Sequence, residues 1–178
     1  MLKRYGKNYR GKNHGNFKTI LLITLTKKED MNIKIELISE SDLADESFNI
    51  VIDGLKPREI YRVEMFLSDY YCINAPMLLA HDVLWKSAAT FVSDKNGIID
   101  ISQTPSCSGS YEDIATMGLF FNAKPLTNRK KKLPNSLSEI PLLDHFFVDI
   151  KIMQGNTVIA ERIFTRRYMS SQISHQDI

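Results

Sequence analysis

Apolar residues recur along this chain mostly at every second position. Ile33, Ile35 and Leu37 alternate with Lys34, Glu36 and Ile38, and Phe48, Ile50 and Ile52 alternate with Asn49, Val51 and Asp53 before Gly54. A period of two is that of a half-buried strand. After the turn Leu55-Lys56-Pro57, the run from Ile60 to Tyr71 sets Tyr61, Val63, Met65 and Leu67 on one face and Arg62, Glu64 and Phe66 on the other. Its β-branched and aromatic content, entered through a proline, favours a strand over a helix. Leu84 to Val92 forms the next run, and the Asn96-Gly97 pair in Ser93–Gly97 predicts a hairpin into Ile98, Ile99 and Ile101. Near the end, Phe146, Val148, Ile150 and Ile152 alternate with Phe147, Asp149, Lys151 and Met153, and Gly155-Asn156 turns the chain into Thr157–Tyr168.

Between these runs the pattern lapses. Ile73 to Asp82, with Pro76 and the patch Met77–Ala80, fits an ordered loop or one helical turn; Asn122 to Asp144 is irregular and carries Pro125, Pro134 and Pro141. About seven or eight short strands with turns between them, and no long amphipathic helix, predict an all-β fold, an immunoglobulin-like antiparallel β-sandwich. The sandwich is expected over residues 31–169, after a basic, mobile leader at 1–30 and before a tail at 170–178.

Composition narrows the class. A chain of 178 residues has room for one domain with a real core. The net charge of +2 conceals an asymmetry: residues 1–30 carry eight Lys or Arg against two acids, and the remainder carries fifteen against nineteen. A basic arm suggests nucleic acid or an anionic membrane. Gly6, Gly11, Asn13 and Gly15 break any helical or stacking pattern in it, which favours a leader or sequence upstream of a start at Met31. The cluster Arg129-Lys130-Lys131-Lys132 has no interleaved aromatics and reads as a solvated loop, so no nucleic-acid partner is expected. Thr19–Thr26 is apolar, but Lys27-Lys28-Glu29-Asp30 stands where a signal peptide needs small residues. No apolar run reaches the length of a membrane span. Cys72 and Cys107 are too few for a disulfide framework and lack zinc-ligand spacing, which favours a reducing, cytoplasmic compartment without metal.

Catalytic constellations are not evident. The chain lacks a Gly-x-Ser-x-Gly elbow, a His-Glu-x-x-His pair, a phosphate-cradling glycine loop and a dinucleotide fingerprint. His81-Asp82 and Asp144-His145 are sequence neighbours, and neighbours on a strand point to opposite faces, so neither pair is preset for acid–base work. Cys107 lies among Ser106, Ser108 and Ser110, but nucleophilic use requires an adjacent base or cation, and Glu112 and Asp113 are acids. No catalytic residue is assigned.

One stretch carries a family signature. Trp85-Lys86-Ser87, then Asp94, Gly97 and Asp100, then Gly109-Ser110-Tyr111 and Met117-Gly118-Leu119 resemble the amino-terminal domain of the acyl-CoA thioester hydrolase and bile acid-CoA:amino acid N-acyltransferase family. Asp45-Glu46, Gly54-Leu55, Pro57, Glu161-Arg162 and Arg166-Arg167-Tyr168 extend the resemblance over roughly residues 33–168. Asp69 to Ala80 departs from it in length. The resemblance implies a β-sandwich joined to a carboxy-terminal α/β-hydrolase domain that hydrolyses acyl-CoA thioesters or passes the acyl group to glycine or taurine, a role in fatty-acid metabolism. It implies acyl-CoA as substrate of the full-length enzyme, no other cofactor, and the hydrolase domain as partner, expected to begin about where this chain, read as a truncated or separately encoded domain, ends at Ile178. The family's nucleophile, Asp and His belong to that domain, so none is carried over, and the chain alone is expected to be inactive. Trp85, Gly109, Ser110, Tyr111, Met117 and Gly118 become candidates for domain contact or the substrate mouth, with the loop from Pro105 to Leu119 as the contact. Packing of Trp85, Tyr111 and Met117 beneath the sandwich edge is the alternative. A stand-alone immunoglobulin-like module for a protein or carbohydrate partner is the second functional reading.

Overall fold

The computed structural model of the protein describes residues 32–70, 83–126 and 144–168. The leader, Cys72, the patch in Ile73–Asp82 with His81-Asp82, the basic cluster at 129–132 and the tail lie outside the described residues. The strands are β1 (Lys34–Ile38), β2 (Asn49–Asp53), β3 (Ile60–Ser68), β4 (Trp85–Val92), β5 (Ile99–Asp100), β6 (Ser108–Gly109), β7 (Lys124–Pro125), β8 (His145–Gln154) and β9 (Thr157–Arg167), with one helical turn, α1 (Gly118–Phe121), before β7. Among the described residues, nine strands exceed the seven or eight expected because β5, β6 and β7 are two-residue pieces too short to show a period. No described helix is long and apolar enough to cross a membrane.

All strand pairs are antiparallel and fall into two sheets. The smaller has the order β1-β2-β5; the larger runs β6-β4-β3-β8-β9, with β7 also pairing with β4. Since β3 occupies one edge of β4, the other is shared by β7 at Trp85 and Lys86 and by β6 at Ala89 and Thr90. The protein is an all-β sandwich. The alternation that predicts the strands also fixes their faces. Tyr61, Val63, Met65 and Leu67 of β3 and Phe146, Val148, Ile150 and Ile152 of β8 are buried in one core with Ile35, Ile50, Ile52 and Ile99 of the smaller sheet. Each such side chain stabilises the fold by roughly 1.5–3 kcal/mol relative to exposure, so a charge at Val148 would be ruinous.

The ends of the elements have local causes. β3 stops at Ser68, short of the expected Tyr71, because Asp69 takes a positive φ of 57° that a ladder does not accommodate. The expected hairpin at Asn96-Gly97 does not form. Its turn carries the chain from β4 in one sheet to β5 in the other, pinned by Asp94 Oδ1, which accepts the N–H groups of Asn96 and Ile98, both at 2.8 Å, and by Leu55 N–H donating to Gly97 O at 3.0 Å. Both edges of β4 are taken by β3, β6 and β7, so β5 pairs with β2 instead.

At the end of β9 the chain closes on the loop before β2. Buried Arg166 donates to Ser39 Oγ at 2.9 Å, to Ser41 O at 2.9 Å, to Glu46 O at 2.7 Å and to Leu43 O, with its guanidinium 5.1 Å from the Phe48 ring. Burial pushes its pKa down, against the pull of Asp42, Glu46 and Asp45. Arg167 pairs with Asp42 through two bonds of 2.6 and 2.7 Å. The motifs Asp45-Glu46 and Arg166-Arg167, 120 residues apart between Glu46 and Arg166, are thus one contact.

Candidate functional site

The signature segment is built from the edge of β4 outward. Trp85 and Ser87 face the core and Lys86 the outside, as strand alternation requires. After β5, the carboxylate of Asp100 gathers the chain: it accepts from Asn49 Nδ2 at 2.7 Å, Ser102 N at 3.0 Å, Ser102 Oγ at 2.6 Å and Gln103 Nε2 at 3.1 Å. Burial raises its pKa, but the bonds from Ser102 and Asn49 outweigh that and hold it below the ordinary value.

The loop from Pro105 then closes on itself. Ser106 and Asp113 exchange backbone bonds of 3.0 and 3.2 Å, Ser106 Oγ donates to Tyr111 O at 2.5 Å, and Asp113 takes a φ of 65°. β6 lies along β4: Cys107 N–H donates to Thr90 O at 2.8 Å, Ser110 N–H to Ala88 O at 2.7 Å, and Ala88 N–H to Ser110 Oγ at 3.0 Å. Gly109 sits so close, with φ of 127°, that a Cβ there would meet Ala88 O at 2.3 Å. Further on, the Tyr111 ring lies against Gly118, where a Cβ would meet the ring carbons at 2.5–2.7 Å. Both glycines are required by approaches within this chain.

Packing continues beneath. Trp85 is 8% exposed and belongs to the core; Tyr111 and Met117 pack against it half-buried. Phe48 N–H lies 3.3 Å from Met117 Sδ, and Phe120 meets Phe48 and Tyr70 edge-on at 5.6 and 5.3 Å between centroids. Tyr111 Oη is buried with no hydrogen-bond partner among the described residues, and burial pushes its pKa up to about 12. Its polar tip is therefore not offered to a neighbour. Of the six candidates, Gly109 and Ser110 are exposed and Gly118 is buried.

The same segment presents apolar side chains that strand alternation does not single out. Ile114 is 56% exposed, Phe121 76% and Leu126 53%. Met117-Gly118-Leu119 leads into α1, a helical turn unforeseen in sequence, which buries Gly118 and Leu119 and turns Phe121 outward. The signal was available: these residues are large, apolar and outside every alternating run.

The acid–base and nucleophile candidates behave differently. Asp144 precedes β8, so strand alternation does not separate it from His145 as expected; the His145 Nδ1 and Asp144 Oδ1 atoms are in contact. The pair is open to solvent, and the imidazole otherwise stacks edge-on against Phe147 at 4.9 Å. Hydrogen bonding to His145 holds the Asp144 carboxyl below its usual range. Cys107 is exposed and unpaired, at the far edge of the same sheet. Among the described residues, no group of three or more His, Cys, Asp or Glu could hold a metal ion.

Comparison with known proteins agrees with the signature. The sequence model for the acyl-CoA thioester hydrolase/BAAT N-terminal region matches residues 45–178. Over 95 residues, 53% of the chain, it is 30% identical to acyl-coenzyme A amino acid N-acyltransferase 1 of Mus musculus. It is 26% identical over 112 residues to acyl-coenzyme A amino acid N-acyltransferase 2, and 28% over 92 residues to bile acid-CoA:amino acid N-acyltransferase, of the same organism. The matched stretches cover 20%, 24% and 20% of these relatives, so the chain spans about a fifth to a quarter of their length.

Proposed function

The chain belongs to the acyl-CoA thioester hydrolase/BAAT N-terminal region family, and from that premise we propose that it is a non-catalytic partner domain for an α/β-hydrolase domain. That domain would hydrolyse acyl-CoA thioesters or transfer the acyl group to an amino acid. The observation that carries the reading is the segment 105–126. Internal hydrogen bonds hold it in shape, yet it exposes Ile114, Phe121 and Leu126. A preformed surface with large apolar groups binds without the entropic cost of ordering a loop. Trp85, Tyr111, Met117 and Gly118 support this surface from beneath, while Gly109 and Ser110 lie at its exposed margin.

In this role the sandwich covers the mouth of the hydrolase site, where the nucleophile sits on a sharp strand-to-helix turn, and keeps water from the acyl intermediate. The exposed free thiol of Cys107 suits a reducing, cytoplasmic compartment. A thioesterase assay tests the reading: the chain alone should release no thiol from acyl-CoA above background. Turnover by the isolated chain would overturn the non-catalytic assignment.

A further inference from the structure

The outer face of the larger sheet carries an unbalanced charge arrangement. Lys86 of β4 and Lys124 of β7 are directly opposite in register, so both side chains leave the same face. Like charges directly opposite destabilise a sheet. Glu64 of β3 partly answers this: its Oε2 is 2.9 Å from Lys86 Nζ, and its Oε1 is 3.0 Å from Arg62. Lys124 has no acidic partner among the described residues, and half of the Arg62 side chain is exposed. Two cations therefore share one carboxylate, and a third, Lys124, has none among the described residues.

Arg62, Lys86 and Lys124 line a hollow of about 410 Å³ together with Ala88, Ser108 and Ser110. Ala88 stands opposite Glu64 on β3, and Arg62 stands opposite Thr90 two pairs further on, on the same face. The small side chain of Ala88 lines the hollow together with Arg62 and Lys124. Ser110 Oγ accepts the Ala88 N–H, which leaves its hydroxyl proton available to an added acceptor. Donors and positive charge converge here, and a phosphate group near neutral pH carries about −1.5 to −2 with three acceptor oxygens.

We propose that this hollow binds a phosphate group, free or at the end of a phosphorylated organic molecule, between Arg62 and Lys124. The anion matches the surplus of two positive charges that Arg62, Lys86 and Lys124 leave over the single carboxylate of Glu64. This site shares Ser108, Ser110 and Lys124 with segment 105–126 but uses none of its exposed apolar residues, so a titration on the isolated chain can fail without the partner-domain reading failing.

Amide NMR titrations in phosphate-free buffer, one with inorganic pyrophosphate and one with coenzyme A, test it. Saturable shifts centred on Ser108, Ser110 and Lys124 are expected, weakening as salt is added. Lys124→Gln, a surface change, should weaken binding about tenfold, as loss of one charge-assisted contact implies. Ala88→Leu should abolish binding by filling the hollow, with folding of both variants checked by thermal midpoint. Tighter binding of coenzyme A than of pyrophosphate identifies an organic phosphate as the ligand; equal affinity identifies the free anion. Absence of saturable shifts with both probes, or wild-type affinity in Lys124→Gln, overturns the proposal.

Discussion

Residues 39–46 and residues 105–126 are both irregular, and they solve the problem of unpaired backbone in opposite directions. The first stretch turns its carbonyls inward onto Arg166, which gathers Ser41, Leu43 and Glu46 around a single buried guanidinium. The second satisfies itself through Ser106, Asp113 and the edge of β4, and leaves Ile114, Phe121 and Leu126 facing water. One loop is completed by the sandwich; the other is shaped by it and left uncovered. A segment that is ordered yet apolar on its outer side is what an interaction surface requires.

Removing the organising cation should break the first loop most severely. Arg166→Ala leaves three carbonyls without their donor and is expected to cost about 3–5 kcal/mol in urea unfolding. Arg166→Lys should recover little, because an ammonium cannot replace the guanidinium fork. In the second loop, Gly118→Ala drives a methyl into the Tyr111 ring and should cost about 1–3 kcal/mol. Tyr111→Phe should be neutral or stabilising by up to about 1 kcal/mol, because the hydroxyl it removes is buried without a partner. The same variant has a pH signature. Since the folded pKa of Tyr111 is raised to about 12, its contribution is complete below the unfolded value of 10.0 and lost as pH climbs from there through about 12. Tyr111→Phe should flatten that alkaline loss in thermal melts. Smallest of all, Phe121→Asp should leave stability within about 0.5 kcal/mol, as a surface change does, while weakening association with a hydrolase domain.

The difference between the loops also marks what the sequence discloses. Strand faces are legible because Tyr61, Val63, Met65 and Leu67 repeat at the period that sets their burial. The pairing of Arg166 with Glu46 is invisible to any local pattern, since it joins positions 120 apart. Likewise Asn96-Gly97 announces a turn but not which sheet receives the chain, a choice made by strand edges already occupied. At the signature segment, the residue types reveal kinship. Their orientation required the fold: Gly109 and Gly118 serve neighbours in this chain, and the exposed large apolar groups of the segment are Ile114, Phe121 and Leu126, residues outside the motif.

The central claim is that segment 105–126 is a contact surface for a catalytic domain. Hydroxyl-radical footprinting tests it directly on two proteins: this chain alone, and a chimaera in which residues 32–178, with β1 and the rest of the sandwich, replace the corresponding amino-terminal region of the Mus musculus acyl-coenzyme A amino acid N-acyltransferase 1. Phe121 and Ile114 should oxidise readily in the isolated chain and be protected several-fold in the chimaera, while exposed Val158 on β9 oxidises equally in both. Equal oxidation of Phe121 and Ile114 in a folded, active chimaera would contradict the account.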